Sequence, residues 1–141
     1  MPSVTIAGGT LDYRTLGAAD SDLPPVVFVH GFLVDSTLWD PVAAQLAEHG
    51  VRSVLVDWPL GSHRTPMNAN ADLSPIGVAR MINEVLDVLG LTDVTLVGND
   101  TGGALCQLLL ADDASRIGRV VMSTSTDSST AAKRSALSAN W

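Results

Sequence analysis

The chain has 141 residues, 46% of them hydrophobic and 16% charged, with a formal net charge of −7. That length suits one domain with its own core, and the apolar share excludes an intrinsically disordered chain. The acidic balance argues against nucleic acid or an anionic membrane surface as a partner.

The opening Met1-Pro2-Ser3-Val4 lacks a basic stretch followed by an apolar core, so no signal peptide is expected. No apolar run approaches the length of a bilayer span, and the expectation is a soluble, cytoplasmic protein. Residues 3–7 and 11–16, punctuated by Gly8-Gly9 and Gly17, predict a β-hairpin. After a polar loop ending at Pro25, Val26-Val27-Phe28-Val29 is an unalternated apolar run, the pattern of a strand covered on both faces. It leads directly into His30-Gly31-Phe32-Leu33.

Asp35-Ser36-Thr37 supplies capping residues for a helix predicted over 38–48, with Trp39, Val42 and Leu46 as its apolar face and Gly50 as its stop. Ser53-Val54-Leu55-Val56 predicts a second buried strand, ending at Asp57-Trp58-Pro59. A long Gly-, His-, Pro- and Asn-containing loop over 60–71 follows, a length at which loops carry function. From 73 to 89, Ile76, Val78, Met81, Ile82, Val85, Leu86 and Leu89 recur at helical spacing, between Ser74-Pro75 and Gly90. A strand is predicted over 93–97, a helix over 102–111, and a last strand over 117–122. Strands alternating with helices after an opening hairpin predict an α/β fold with a doubly wound, mainly parallel sheet.

Cys106 is the only cysteine, which rules out an intrachain disulfide and argues against a thiolate metal site; its place in an apolar helix suits a buried thiol. Residues 123–141 open with a Ser/Thr-rich tract and hold only Leu137 and Trp141 as large apolar side chains. They are expected to form a mobile polar tail, with at most a short helix over 131–137, so the domain proper is placed at 1–122.

The stretch with chemical content is Gly98-Asn99-Asp100-Thr101-Gly102, where an apolar strand run meets an Ala/Leu-rich helical run. A small-x-Asp-x-small spacing lets a strand turn sharply into a helix, with the central residue in a strained backbone position. This is the pattern of a nucleophile elbow, with Asp in the place usually held by Ser. The same residues also suit an ordinary strand-to-helix loop in which Asp100 or Thr101 caps the helix. No Gly-x-Gly-x-x-Gly follows the first strand and 98–103 lacks a phosphate-loop lysine, so a dinucleotide or nucleotide cofactor is not expected, and no metal site is either.

With His30-Gly31-Phe32 after one buried strand and the Asp100 turn after another, the chain resembles the α/β-hydrolase family. Within it, the similarity is to the Asp-nucleophile branch that includes haloalkane dehalogenases and epoxide hydrolases. Trp39 and Asp57-Trp58-Pro59-Leu60-Gly61 follow the same order, so the resemblance covers residues 3–122. It implies Asp100 as nucleophile and the backbone N–H groups of Phe32 and Thr101 as oxyanion donors. His30, Gly31, Gly98, Asn99 and Gly102 then support the loop and the elbow, with His30 structural and not the base. A carboxylate attacks an sp3 carbon to form an alkyl-enzyme ester, which an activated water then hydrolyses. The expected substrate is a small organic molecule of the epoxide or halide class.

Three departures accompany the resemblance. Thr101 stands where dehalogenases place a halide-binding Trp, and Phe32 where many place an Asn. The only tyrosine, Tyr13, lies in the hairpin, away from any cap. His30, His49 and His63 all precede Asp100, so the family's late acid and histidine, and its cap domain, have no counterpart in these residues. The chain is therefore expected to be the N-terminal half of a hydrolase core, truncated or altered from Ser123 onward, with an exposed sheet edge that favours self-association. The alternative is a catalytically silent α/β fragment that binds a ligand or a partner chain.

Overall fold

A computed structural model describes residues 2–123. Its elements, in order, are β1 (Ser3–Ile6), β2 (Gly9–Leu16), β3 (Val26–Val29), a 3-10 turn (Ser36–Trp39), α1 (Asp40–Glu48), β4 (Ser53–Val56), α2 (Pro75–Val88), β5 (Val94–Asn99), α3 (Thr101–Asp112) and β6 (Ile117–Ser123). The strands form one six-stranded sheet in the order β1-β2-β4-β3-β5-β6. The β1–β2 hairpin joins antiparallel through β2 to β4, whereas β4, β3, β5 and β6 run parallel. An α/β sheet opened by an antiparallel hairpin is thus observed. The expected short helix over 131–137 and the remainder of the polar tail lie outside the described residues.

Side chains of the central strands alternate between two helical layers. Val27, Val29, Val54, Val56 and Leu96 pack with α2 and α3 in the larger core cluster, around Val78, Ile82, Val85 and Leu105. Val26, Phe28 and Leu55 face the other way, onto Trp39 and Ala43. Phe28 and Trp39 stack with centroids 4.8 Å apart. Both faces being covered explains why β3 and β4 read as continuous apolar runs.

The segment predicted as one helix over 38–48 divides. Ser36–Trp39 is a 3-10 turn capped by Asp35, whose carboxylate accepts from the Thr37 N–H, and α1 begins at Asp40. Pro41 is the cause: it has no N–H to donate and is tolerated only in a first helical turn. The predicted apolar face is corrected accordingly. Trp39 is buried, but through the 3-10 turn, and within α1 it is Ala43 that is buried while Val42 is 46% exposed. The last strand also runs one residue further than predicted. Ser123, read as the first residue of the tail, pairs with Asn99 in the β5–β6 ladder.

Candidate active site

The chain leaves β3 for β4 on one side and returns through α2 to β5 on the other, so the C-terminal ends of β3 and β5 flank a topological switch point. Ligands of open α/β sheets bind in the crevice at such a point. Val29 and Gly98 are register partners there, which sets the His30-Gly31-Phe32 loop directly beside the Asp100 turn.

Asp100 is the single residue between β5 and α3, with φ 55° and ψ −118°. A non-glycine residue held there carries a backbone cost of order 1–3 kcal/mol. Neighbours on β6 hold it. The Asp100 N–H donates to the Ser123 carbonyl at 2.9 Å, and the Ser123 hydroxyl donates to Asn99 Oδ1 at 3.2 Å. Asp100 occupies the N-cap position of α3 yet makes no side-chain capping bond, and Thr101 is already the first helical residue. The capping alternative therefore fails: the carboxylate is exposed and not spent on the helix.

The glycines make room for this turn. A Cβ on Gly98 would stand 2.9 Å from Gly102 backbone atoms, and one on Gly102 would overlap the Val29 carbonyl oxygen. A Cβ on Gly31 would lie 3.4 Å from Asp100 Cβ and 3.7 Å from the Thr101 nitrogen, so the loop after β3 presses on the elbow itself. Two N–H groups are left at this junction. That of Thr101 heads α3, where a first-turn donor has no intrahelical acceptor. That of Phe32 meets no backbone carbonyl among the described residues. The positive end of α3 adds to the attraction for negative charge. Leu33, next in the loop, sits at φ 62° and donates to the Leu60 carbonyl at 3.0 Å, tying the loop after β3 to that after β4.

His30 is buried behind this loop with both ring nitrogens engaged. Nε2 accepts from the Trp58 N–H at 3.0 Å, which leaves Nδ1 as the donor to the Gly31 carbonyl at 2.9 Å. Burial pushes its pKa below the ordinary 6.5, although the Gly31 carbonyl and Asp57 pull the other way. The imidazole is neutral in the fold and titrates near 6.5 when unfolded. Its contribution is therefore whole above that value and lost as pH falls towards the lowered native pKa. The thermal midpoint is expected to drop between about pH 7.5 and about pH 5.5, and His30→Asn to flatten that dependence; a flat wild-type profile would contradict the burial account. Asp35, lowered by hydrogen bonds from Thr37, titrates below 3.8 and outside this window.

Neither other histidine joins the elbow by a hydrogen bond. His49 caps the end of α1 and bonds the Gln45 carbonyl. His63 lies in the loop after β4, its Nδ1 buried without a partner among the described residues. Cys106 is buried in α3 with its thiol pushed up to about 12 by that burial, which makes it inert. Tyr13 sits in β2, paired with Val56. Ser123, which holds the Asp100 turn through its carbonyl and hydroxyl, reads from the sequence as the first residue of the tail.

Beside Asp100 an apolar cavity of about 160 Å³ opens between Phe32 and Thr101, closed by Leu60, Leu73, Val78 and Leu105. Larger clefts of about 300 and 390 Å³ lie along α2 among charged side chains such as Arg80, Glu84 and Asp87, away from the strand ends. The smaller cavity is the relevant one, because it shares its walls with the turn.

This arrangement defines an α/β protein with a strained acidic elbow at the sheet's switch point. The family profile described as alpha/beta hydrolase fold matches residues 24–140, and the chain belongs to that family. It is 28% identical over 123 residues to 2-hydroxy-6-oxononadienedioate/2-hydroxy-6-oxononatrienedioate hydrolase 1 of Dechloromonas aromatica, covering 84% of this chain and 42% of that one. An esterase from Exiguobacterium antarcticum superposes with a TM-score of 0.74 at 25% identity, over 88% of this chain and 45% of that one. A Pseudomonas aeruginosa protein provisionally named an epoxide hydrolase gives 0.73 at 24% identity, over 86% and 39%. The chain thus spans less than half the length of each. Among the described residues, no helix is long and apolar enough to cross a membrane.

Proposed function

We propose that this hydrolase-fold chain uses Asp100 as a carboxylate nucleophile toward small epoxides. The observation that carries the reading is the exposed Asp100 carboxylate at φ 55°, uncommitted to capping α3 although it heads that helix. One carboxylate oxygen attacks the unsubstituted epoxide carbon. The carbon–oxygen bond of the ring breaks with its electron pair going to oxygen, and the alkoxide takes a proton from water, leaving hydroxide. A second water, giving a proton to that hydroxide, adds to the ester carbonyl of Asp100, and the Phe32 and Thr101 N–H groups receive the resulting oxyanion. On collapse the departing alkoxide takes the proton of the new carboxyl group, which releases the diol and restores the carboxylate. Alkyl halides are the second substrate class, disfavoured because neither Phe32 nor Thr101 offers a side-chain N–H to a departing halide.

A specific observation favours arrest at the ester. His30 has both nitrogens occupied, so it cannot activate the second water without breaking the loop's own bonds. The test is intact-mass measurement after incubation with methyloxirane. One equivalent of adduct that persists, and is absent from Asp100→Asn, is expected. An unmodified, folded wild type would refute the nucleophile.

A further inference from the structure

We infer that the apolar cavity between Phe32 and Thr101 is a specificity site for a neutral, benzene-sized substituent on the electrophile, a reading that rests on Asp100 as the nucleophile. Four segments build it: Phe32 from the loop after β3, Leu60 from the loop after β4, Leu73 and Val78 from around the start of α2, and Thr101 and Leu105 from α3. Its volume of about 160 Å³ is of the order at which an apolar cavity accepts one benzene molecule.

Among the described residues, no lining side chain carries a charge, and Thr101 supplies the only polar one. A charged or strongly hydrated substituent would lose its water there with nothing to replace it, whereas an apolar ring gains by burial. Position then links the cavity to the chemistry. Phe32 and Thr101 are two of its walls and are also the residues whose N–H groups flank the elbow. A ring seated between them holds the epoxide it carries at the mouth, with the unsubstituted carbon turned to the Asp100 carboxylate. The favoured substrates are therefore aryl- or cycloalkyl-substituted terminal epoxides, in preference to small polar ones such as glycidol.

The test compares alkylation of the full chain by benzyloxirane and by methyloxirane, both attacked at an unsubstituted carbon, followed as intact mass against time. Benzyloxirane is expected to react roughly tenfold faster or more, and Ala104→Phe, which fills the cavity from α3, to bring the ratio close to one. Ala104 is exposed, so the larger side chain does not have to enter the core. A wild-type ratio near one, or a ratio untouched by Ala104→Phe, overturns the site. If neither epoxide reacts, the nucleophile reading has failed and the cavity is judged by toluene alone. Toluene shifts in the methyl resonances of Leu60, Val78 and Leu105 that vanish in Ala104→Phe support the site; their absence overturns it.

Discussion

Gly102→Ala is expected to cost about 3 kcal/mol of folding stability or more, whereas Gly103→Ala, one residue along, is expected to be neutral or to stabilise by up to about 1 kcal/mol. Both are α3 glycines with ordinary helical backbone, so the contrast is one of space. A methyl on Gly102 would overlap the Val29 carbonyl oxygen and stand 2.8 Å from that of His30. Those oxygens lie at the end of β3 and on the residue just after it, where the elbow's packing holds them. Moving α3 away would break the bond from the Asp100 N–H to Ser123 and open the elbow. The nearest neighbour of a methyl on Gly103 is the Met122 side chain at 3.7 Å, an ordinary contact, and the substitution removes glycine's backbone freedom from a helix. Urea midpoints of the two variants check this. Equal stability for both would mean that strand and helix are not packed as described.

Trp58→Ala is expected to cost about 3–5 kcal/mol, and Trp58→Phe about 1–3 kcal/mol. The indole is fully buried in the larger core, and its Nε1–H donates to the Phe28 carbonyl at 2.9 Å. Alanine removes the packing and the bond, whereas phenylalanine keeps most of the volume and removes the donor. Small domains hold only about 5–15 kcal/mol in total, so the alanine substitution removes a large share of the stability and lowers the thermal midpoint by many degrees. The backbone N–H of the same residue holds His30 Nε2, and both anchors fix the end of β4 against that of β3. Thermal denaturation followed by circular dichroism gives the order wild type, Phe, Ala. A Phe variant as damaged as Ala would assign the loss to the hydrogen bond.

The sheet was legible because its signals are local. Val26 to Val29 and Ser53 to Val56 are continuous apolar runs whose composition already states two covered faces, and α2 repeats its apolar positions at helical spacing from Ser74-Pro75 onward. The split between the 3-10 turn and α1 was signalled by Pro41, which periodicity alone passes over. Ser123 was not legible. Its place is set by pairing with Asn99 across 24 residues, and its polar neighbours read as a tail. Leu33 was hidden for a related reason: nothing in a leucine announces φ 62°, which the bond to Leu60 accompanies. At the elbow, the glycine spacing around Asp100 pointed to the turn.

Peptide mapping of the benzyloxirane-treated chain tests the nucleophile most directly. The predicted result is a single label on Asp100 that mild alkali releases as the diol, restoring an unmodified aspartate, because the bond is an ester. A label that resists alkali, as a thioether on Cys106 or an alkylated ring nitrogen of His63 would, contradicts Asp100 as the reacting group.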